Sequence, residues 1–405
     1  MAKQATRTTG KKVPAKKVTA KKATANKGTA QGATRKAGTK PATGTAAPAA
    51  PSARGSVPAS ATAPHDLFAP APGYLNAATM GLPPRATADA VRQALDVWQR
   101  GGGCPAAYDV VVNEARALYA DLVGVPTSWV ATGSQVSVAA GVVATSLPPG
   151  ARVVCVDGDF SSMVYPFLAQ ADRGVQVRHV PLAGLADAVA QGCDLVSFSL
   201  AQSADGQLAD ADAVVAAATE HGALTFCDVT QAAGWYDVDA SRYDITTCTA
   251  YKWLCSPRGT AFTTMTPAAA ERLTPIHAGW YAGESVFASC YGPQIALAHD
   301  ARRFDVSPAW LSWVGTVPSL RMLAGLDAGV ARWHGAGLAD ALRERLDLGP
   351  QGRPVLSLPD PDGVLAERLE GAGCTVAGRA GLVRIAFHLW NDEQDVDVAA
   401  RALAG

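Results

Sequence analysis

The feature that most constrains the fold is an alternation of short apolar runs with helical stretches along most of the chain. Seven runs rich in Val, Ile, Leu and Thr predict strands at 129–131, 152–156, 175–180, 195–199, 224–227, 245–249 and 259–265. Helices are predicted between them at 136–145, 164–171, 185–191 and 211–221. Continuous apolar strands bounded by helices are typical of strands buried on both faces. The pattern therefore predicts an α/β fold with a mainly parallel sheet.

Further elements are predicted on either side of this alternating region. Helices span 84–98, 110–122 and 325–346, and strand-like runs follow at 355–358 and 383–387. The chain after residue 64 exceeds the size at which one hydrophobic core stops growing, so a second, smaller domain is expected. We predict a large domain over 65–310, whose N-terminal segment contributes to the small domain, and a small C-terminal α+β domain over 311–405.

Residues 1–64 differ in composition from the rest of the chain. They hold 10 Lys and 3 Arg but no acidic residue, and from residue 4 onward no apolar side chain larger than Val. Such a segment cannot offset the entropy of ordering, so we predict a disordered Lys/Ala/Pro-rich cationic tail and linker. It either contacts nucleic acid or another polyanion nonspecifically, or stays solvated without a partner, or is an over-long start to the reading frame.

Other features of the composition disfavour membrane, secreted and metal-binding proteins. No apolar run reaches the roughly 18 residues of a membrane span. The basic start is not followed by the apolar stretch of a secretory signal. The eight cysteines form no CxxC pair and no metal-like cluster. We therefore expect buried free thiols, no metal site and a cytoplasmic location.

One lysine stands out in the body of the protein. Residues 65–405 contain 21 Arg but a single lysine, Lys252. Arginine can replace lysine in salt bridges, but its guanidinium stays protonated and cannot form an imine. Lys252 follows the predicted strand 245–249, and ligands of α/β proteins collect at such strand ends. It is therefore a candidate for amine chemistry. The alternative is a surface lysine without a role, which the aromatic neighbours Tyr251 and Trp253 disfavour.

A second chemically significant residue lies at the end of the preceding predicted strand. Asp228 follows the apolar run 224–227, and a carboxylate there is costly unless it meets a cation. A protonated pyridine nitrogen would supply that cation and keep the ring an effective electron sink. Gln231 could hydrogen-bond the phenolic oxygen of the same ring. The alternative for Asp228 alone is a helix cap or an exposed acid at the strand end.

The turn at 131–135 is a candidate anion site. Its sequence, Ala-Thr-Gly-Ser-Gln, follows a predicted strand and opens the small-residue helix 136–145. Backbone N–H groups and the dipole of a helix start bind phosphate, and glycine permits close approach. The same sequence is also a common turn and N-cap.

Taken in order, these stretches resemble the class V aminotransferases, which are fold-type I pyridoxal-phosphate enzymes. Members include cysteine desulfurases, kynureninases, isopenicillin-N epimerase-like proteins and the C–S lyases of thiohistidine biosynthesis. The matching stretches are Tyr74-Leu75-Asn76-Ala77-Ala78, Thr132-Gly133-Ser134-Gln135, Asp228-Val229-Thr230-Gln231, Thr249-Ala250-Tyr251-Lys252 and Val383-Arg384-Ile385-Ala386. The resemblance runs from about Tyr74 to the C-terminus. It implies a seven-stranded, mainly parallel sheet in the large domain and pyridoxal 5'-phosphate as cofactor.

The resemblance also implies roles for the residues around the cofactor. Lys252 would form the Schiff base and then move the proton at the substrate α-carbon. Asp228 would pair with the ring nitrogen, Gln231 with the ring oxygen, and Phe160 would stack on the ring. The phosphate would be held by Ser134, Gln135, Thr249 and Tyr251.

Three further residues are assigned by the same resemblance. Arg384 would grip the α-carboxylate of an amino-acid substrate through a two-pronged salt bridge, with Asn76 nearby. Trp280 would reach the phosphate of a neighbouring subunit, which implies a homodimer with shared active sites. His388 could also line the site, although a structural histidine is the more ordinary interpretation, and the Arg302-Arg303 pair is a second candidate for a substrate anion.

The reaction stays open between transamination, β-elimination with C–S cleavage, and epimerisation. A cysteine desulfurase or selenocysteine lyase is an alternative, but those enzymes carry a catalytic cysteine on a loop shortly before the carboxylate-binding arginine. Here 376–383 holds no cysteine, and Cys374 lies ten residues before Arg384. Another alternative is a catalytically inactive fold with a polyanion-binding tail.

Overall fold

A computed structural model describes residues 65–294 and 296–405 of the chain. The predicted cationic tail, 1–64, lies outside the described residues. Among the described residues no helix is long and apolar enough to cross a membrane, and no group of three or more His, Cys, Asp or Glu side chains could hold a metal ion.

The described residues form eleven α-helices and ten strands. The helices are α1 (Arg85–Gln99), α2 (Pro105–Leu122), α3 (Val136–Ser146), α4 (Ser161–Leu168), α5 (Leu185–Ala190), α6 (Ala211–His221), α7 (Pro267–Arg272), α8 (Trp310–Ala324), α9 (Ala328–Arg345), α10 (Val364–Gly371) and α11 (Glu393–Ala404). The strands are β1 (Val130–Gly133), β2 (Arg152–Val156), β3 (Gln176–Val180), β4 (Leu195–Ser199), β5 (Leu224–Asp228), β6 (Ile245–Thr249), β7 (Ala261–Met265), β8 (Val355–Pro359), β9 (Ala377–Arg379) and β10 (Leu382–Ala386).

Seven strands form one sheet in the order β1-β7-β6-β5-β4-β2-β3. The pairs from β6 to β3 are parallel, and β7 runs antiparallel to both of its neighbours. Helices α4, α5 and α6 make the connections from β2 through β5, as parallel neighbours need crossover connections, whereas β5 is joined to β6 by a segment with only a short 3₁₀ turn, Ala240–Arg242. The predicted α/β fold with a mainly parallel seven-stranded sheet is confirmed.

The sheet is buried on both faces, which explains its continuous apolar strands. Alternate side chains of β2 enter different hydrophobic clusters: Val154 and Val156 pack on one side, Val153 and Cys155 on the other. The period of two in a strand sends neighbouring side chains to opposite faces, so both faces need apolar residues.

A second sheet of three strands lies in the C-terminal part of the chain, in the order β8-β10-β9. The segment before α1 joins it, because Tyr74 bridges to Thr375 and Asn76 to Ala386. The strands β9 and β10 are linked by Ala380 and Gly381, both with positive φ. Such backbone angles at both positions define a tight hairpin turn.

Several elements differ from the sequence-based expectation. The helix predicted over 325–346 begins at Ala328, where Asp327 caps it, and the helix predicted over 164–171 begins at Ser161. Helices α7, α8, α10 and α11 were not predicted. Helix α8 buries Trp313, Thr316, Ser319 and others around much of its circumference, so it lacks the one-sided periodicity that reveals a surface helix.

The cysteines match the prediction of free thiols, but two of them are not buried. All eight are unpaired, and Cys104 and Cys290 are exposed. Both exposed residues lie outside the apolar strands on which the expectation was based, Cys104 before α2 and Cys290 after a short 3₁₀ turn.

Candidate active site

A cavity of about 280 Å³ opens at the carboxyl ends of β4, β5 and β6, beside the start of α3. Parallel strands bring their carboxyl ends to one edge of a sheet, where α/β proteins bind ligands. The cavity is lined by Ser134, Gln135, Val136, Phe160, Ser162, Ser199, Ser203, Asp228, Thr230, Gln231, Thr249, Tyr251, Lys252, Arg258 and Gly259.

The fold brings eight of the eleven predicted site residues together in this cavity. These are Ser134, Gln135, Phe160, Asp228, Gln231, Thr249, Tyr251 and Lys252. The other three, Asn76, Trp280 and Arg384, do not line it. The eight come from four separate segments of the chain, which meet because each segment ends or follows a strand that finishes at the same sheet edge.

Lys252 lies in the turn after β6, with a buried side chain. Its Nζ is 5.4 Å from the ring centre of Phe160 and 6.0 Å from that of Tyr251. No carboxylate of residues 65–294 or 296–405 forms a salt bridge with it. Burial lowers the pKa of Lys252 to about 8. The negative charge of Asp228 raises this pKa and the positive charge of Arg384 lowers it further, but both effects are smaller than that of burial. The amine is therefore closer to its nucleophilic form at neutral pH than an exposed lysine.

Asp228 ends β5 and is 5% exposed. Its Oδ1 accepts a hydrogen bond from the backbone N–H of Thr230 at 2.8 Å. Burial raises the pKa of the Asp228 carboxyl to about 6, although the Thr230 hydrogen bonds oppose the shift. No cationic side chain in the described part of the chain makes a salt bridge with it. A buried carboxylate without a salt-bridge partner fits a ligand that brings a positive charge, such as a protonated pyridine nitrogen.

Gln231 has an amide group whose orientation is fixed by its neighbours. The indole N–H of Trp253 donates to Gln231 Oε1 at 2.7 Å. The amide nitrogen Nε2 donates to the carbonyl of Ala78 at 3.0 Å and to Ser203 Oγ at 3.2 Å. Because Trp253 can only donate, Nε2 must lie on the other side of the amide, where it faces Ser203 and the cavity.

The opposite end of the cavity contains backbone and side-chain donors for an anion. Gln135 is the N-cap of α3, so the first backbone N–H groups of this helix lack partners within it. Ser134, Thr249 and Tyr251 lie around this helix start. The guanidinium of Arg258 stacks 4.7 Å above the Tyr251 ring and adds a positive charge. Together these groups fit a phosphate.

Arg384 lies beside the cavity and is joined to it through Ser203. It is 1% exposed, and its Nη1 donates to the Ser203 carbonyl. Its Nη2 donates to Thr79 Oγ1 at 2.7 Å, while Nε has no partner among the described residues. Burial lowers the pKa of Arg384 to about 10, with a further contribution from the charge of Arg379.

Asn76, Trp280 and His388 are placed away from the cavity lining. Asn76 Nδ2 donates to the Val376 carbonyl at 3.3 Å, and Trp280 packs against Tyr281 and Phe287. The ring of His388 is buried, with Nε2 3.0 Å from the carbonyl of Trp253. That position agrees with a structural histidine.

The cavity residues that the sequence analysis did not single out are mainly small polar groups and one cation, Arg258. Thr230 holds Asp228 and accepts from the Thr249 backbone N–H at 3.0 Å. Ser199 and Ser203 follow or end β4, and Arg258 follows Lys252 in the same turn region. A search for polar residues at or just after the end of each predicted strand would have found Ser199, Ser203 and Thr230. The importance of Thr230 depends on contacts that its sequence position does not show.

The sequence and the fold of this chain are similar to those of known proteins. The sequence profile of the family Aminotransferase class-V matches residues 97–362, so the chain belongs to the class V aminotransferase family, whose enzymes depend on pyridoxal phosphate. The chain folds like a cystine C-S lyase named C-DES, solved with its product cysteine persulfide (19% identity, TM-score 0.74, covering 82% of this chain and 97% of that one). It is similarly related to the cysteine desulfurase CsdA of Escherichia coli (16%, 0.73, 84% and 96%). A cysteine desulfurase of Thermococcus onnurineus NA1 is comparable (19%, 0.72, 85% and 98%). No protein of curated function matches the sequence.

The predicted cofactor is confirmed by this family membership, and the residues present fit it. The cavity combines one unpaired buried amine, one buried carboxylate without a cation, and an anion site at a helix start. Such groups would suit the aldehyde, the ring nitrogen and the phosphate of pyridoxal 5'-phosphate, respectively.

Gly81 holds the segment before α1 against the Lys252 turn. Its N–H donates to the Tyr251 carbonyl at 2.9 Å, and a Cβ at this position would lie 1.9 Å from the Lys252 carbonyl oxygen. We expect Gly81→Ala to lower the free energy of unfolding by roughly 1–3 kcal/mol and to weaken cofactor binding, because the turn must move. Thermal denaturation and cofactor titration would measure both effects. Gly184→Ala is the matched control, since no atom lies within 4 Å of its added Cβ. Equal behaviour of the two variants would contradict the close approach.

Proposed function

We propose that this protein is a pyridoxal-phosphate-dependent lyase that removes the α-proton of an amino acid and expels a β-substituent through Lys252. The observation that carries the proposal is that Lys252 is the only cavity-lining amine and lies without an ion-pair partner in the described structure. When bound, the cofactor supplies an electron sink for the charge left at the α-carbon.

The residues of this chain divide the work as follows. Lys252 would hold the cofactor covalently, and its amine would then carry the proton from the substrate α-carbon toward the leaving group. Asp228 would keep the ring nitrogen protonated, and Gln231 would donate to the ring oxygen. Arg384 would orient the α-carboxylate, so that the α C–H bond faces Lys252.

The phosphate end and the ring face involve the remaining residues. Ser134, Gln135, Thr249 and Tyr251 would hold the phosphate, with Arg258 as an additional positive charge. Phe160, which is 45% exposed, would cover the ring face and become buried by it. The closeness of the Phe160 ring to Lys252 Nζ supports this role.

Elimination is favoured over epimerisation by the composition of the cavity. Removing the α-proton and delivering it to a leaving group needs one base, and Lys252 supplies it. Epimerisation needs a second proton carrier on the other face of the substrate. Apart from Lys252, the described cavity lining offers only Asp228 and Tyr251 for that role, and both would be engaged by the cofactor. The fold shared with a cystine C-S lyase adds support.

The desulfurase alternative conflicts with the position of Cys374. Its side chain is 3% exposed and packs in the apolar core of the C-terminal region with Leu75 and Leu369. Burial raises the pKa of the Cys374 thiol, which disfavours the reactive thiolate. The tight turn at Ala380 and Gly381 also leaves no long loop before Arg384.

We also propose a division into two domains. The large domain spans 65–310 and the small one 311–405.

A homodimer, a cytoplasmic location and a polyanion contact of the tail are proposed as well. Trp280 would contact the phosphate site of a second copy, and its distance from the cavity lining of its own chain supports that role. The eight cysteines are unpaired, as expected of thiols that stay reduced in the cytoplasm. The ten lysines of 1–64 would bind a polyanion such as nucleic acid through their positive charge.

The proposal is tested by incubating the holoenzyme with amino acids that carry a β-leaving group and identifying the products. We expect a spectral change of the bound cofactor, followed by pyruvate and ammonia from cysteine-type substrates. Accumulation of a keto acid with the amine form of the cofactor would indicate transamination instead. A protein that binds no cofactor would support the inactive alternative.

The lowered pKa of Lys252 predicts the pH dependence of cofactor attachment. Only the unprotonated amine attacks an aldehyde, and its fraction rises as pH passes the pKa, which is about 8. We compare the rate at which the apoprotein binds the cofactor with the rate at which a free lysine derivative reacts with it. Above pH 8 the ratio of the first rate to the second should fall, because Lys252 is already mostly unprotonated while the derivative still gains unprotonated amine. Stopped-flow absorbance measures both rates. A constant ratio up to pH 10 would contradict a lowered pKa.

A further inference from the structure

Two arginines share one hydroxyl group beside the cavity. Arg384 Nη2 donates to Thr79 Oγ1 at 2.7 Å, and Arg379 Nη2 donates to the same oxygen at 3.3 Å. Arg384 lies on β10 and Arg379 ends β9, on the two sides of the tight hairpin turn. Both guanidiniums are therefore held within reach of a single neutral acceptor.

Neither guanidinium has an acidic partner in the described residues. Some other arginines of limited exposure do have acidic partners: Arg116 pairs with Asp305 at 2.6 Å, and Arg302 with Glu284 at 3.2 Å. For Arg379 and Arg384 no carboxylate of residues 65–294 or 296–405 lies within salt-bridge distance. Arg384 is also 1% exposed with its Nε unpartnered. The buried guanidinium of Arg384 without a counter-charge, and with the charge of Arg379 near it, is costly unless a ligand completes the site.

The pair lies beside the cavity, to which Ser203 and Thr79 connect it. Arg384 donates to Ser203, which lines the cavity, and Thr79 follows Ala78, whose carbonyl accepts from Gln231. The charges of both arginines also contribute to the lowered pKa of Lys252, after the larger effect of burial. The two cations therefore act on the same space as the reacting amine.

We propose that Arg379 and Arg384 form a two-arginine site for an amino acid that carries a second carboxylate: Arg384 binds the α-carboxylate and Arg379 the other one. This inference rests on the proposed function, because it names the substrate class of that same site. One carboxylate would neutralise only one of the two charges, whereas a doubly negative ligand neutralises both. Arg379 is exposed at the hairpin turn, so its side chain can change conformation. It can therefore reach the second carboxylate in amino acids of different length.

The test compares acidic amino acids with their amides on the holoenzyme. L-aspartate against L-asparagine, and L-glutamate against L-glutamine, differ by one negative charge at nearly constant size. Absorbance of the bound cofactor measures the concentration of half-maximal response for each ligand. In the wild type we expect at least one acid to be favoured over its amide by roughly tenfold or more, as a charge-assisted contact implies.

Variants assign that preference to Arg379. We expect Arg379→Gln to reduce the acid-to-amide ratio to near one by weakening the acids and leaving the amides little changed, and Arg379→Lys to keep part of it. Arg368→Gln is the matched control, since Arg368 is another exposed arginine of the C-terminal region, on α10. It should keep the full ratio. Thermal denaturation verifies that each variant is folded.

The possible failures are separable. If the wild type holds lysine-bound cofactor but shows no preference for either acid, or if Arg379→Gln weakens acids and amides equally, the inference is overturned and the proposed function stands. If the wild type shows no band of lysine-bound cofactor, both the inference and the proposed function are overturned.

Discussion

Replacing Lys252 by arginine is expected to lower the catalytic rate by at least about a thousandfold and to remove the absorbance band of lysine-bound cofactor. Arginine keeps the positive charge and much of the length, but its guanidinium stays protonated and can neither form an imine nor accept the α-proton. The variant therefore separates amine chemistry from charge. Absorbance spectra and product formation would measure the two losses.

A second variant distinguishes lost chemistry from lost structure at the same position. In Lys252→Ala the cavity remains and the amine is absent, so a small primary amine such as methylamine should restore part of the activity. Circular dichroism and thermal denaturation should show a folded protein. A Lys252→Ala variant that retains the band and the activity would contradict the role of Lys252.

Replacing Asp228 by asparagine is expected to lower the rate by about a hundredfold or more, while the apoprotein becomes no less stable. Asparagine retains an Oδ1 that can accept the Thr230 hydrogen bond, but it cannot hold a proton on the ring nitrogen. The Asp228 pKa is raised above its unfolded value, so at neutral pH its ionised form costs folding free energy and removing it relieves that cost. The two measurements should therefore move in different directions.

Asp244→Asn is the matched control for this prediction. Asp244 is a partly buried acid that accepts from the backbone N–H and hydroxyl of Thr225, just before β6 begins. Its loss should affect stability without changing the cofactor spectrum. Wild-type activity in Asp228→Asn would reject the pairing of Asp228 with the ring nitrogen. So would an equally large change of the cofactor absorbance spectrum in Asp244→Asn and in Asp228→Asn.

The sheet and most of the site could be predicted because their signals are local. Strands buried on both faces must be continuously apolar, so β2, β4 and β6 were predicted with the observed bounds. Parallel strands then bring their ends together, which joined Asp228 and Lys252. Lys252 could be identified as a candidate because it is the single lysine in 65–405, an observation that does not depend on any periodic pattern.

The remaining features depend on contacts between distant segments. The sharing of Thr79 by Arg379 and Arg384 requires the segment before α1 to meet the β9–β10 hairpin, about 300 residues later. Helix α8 is buried around much of its surface, which removes the pattern that would reveal it. Trp280 does not line the cavity of its own chain in the described structure, so its proposed contact depends on a second copy of the chain.

Reductive trapping tests the central claim most directly. Borohydride fixes the bond between a lysine and pyridoxal phosphate, and residues 65–405 contain one lysine against ten in 1–64. Peptide mapping of the reduced holoenzyme should place one cofactor per chain on the peptide that contains Lys252 and none on the tail. A label confined to the lysines of 1–64, or absent altogether, would contradict the assignment of Lys252 as the cofactor-binding residue.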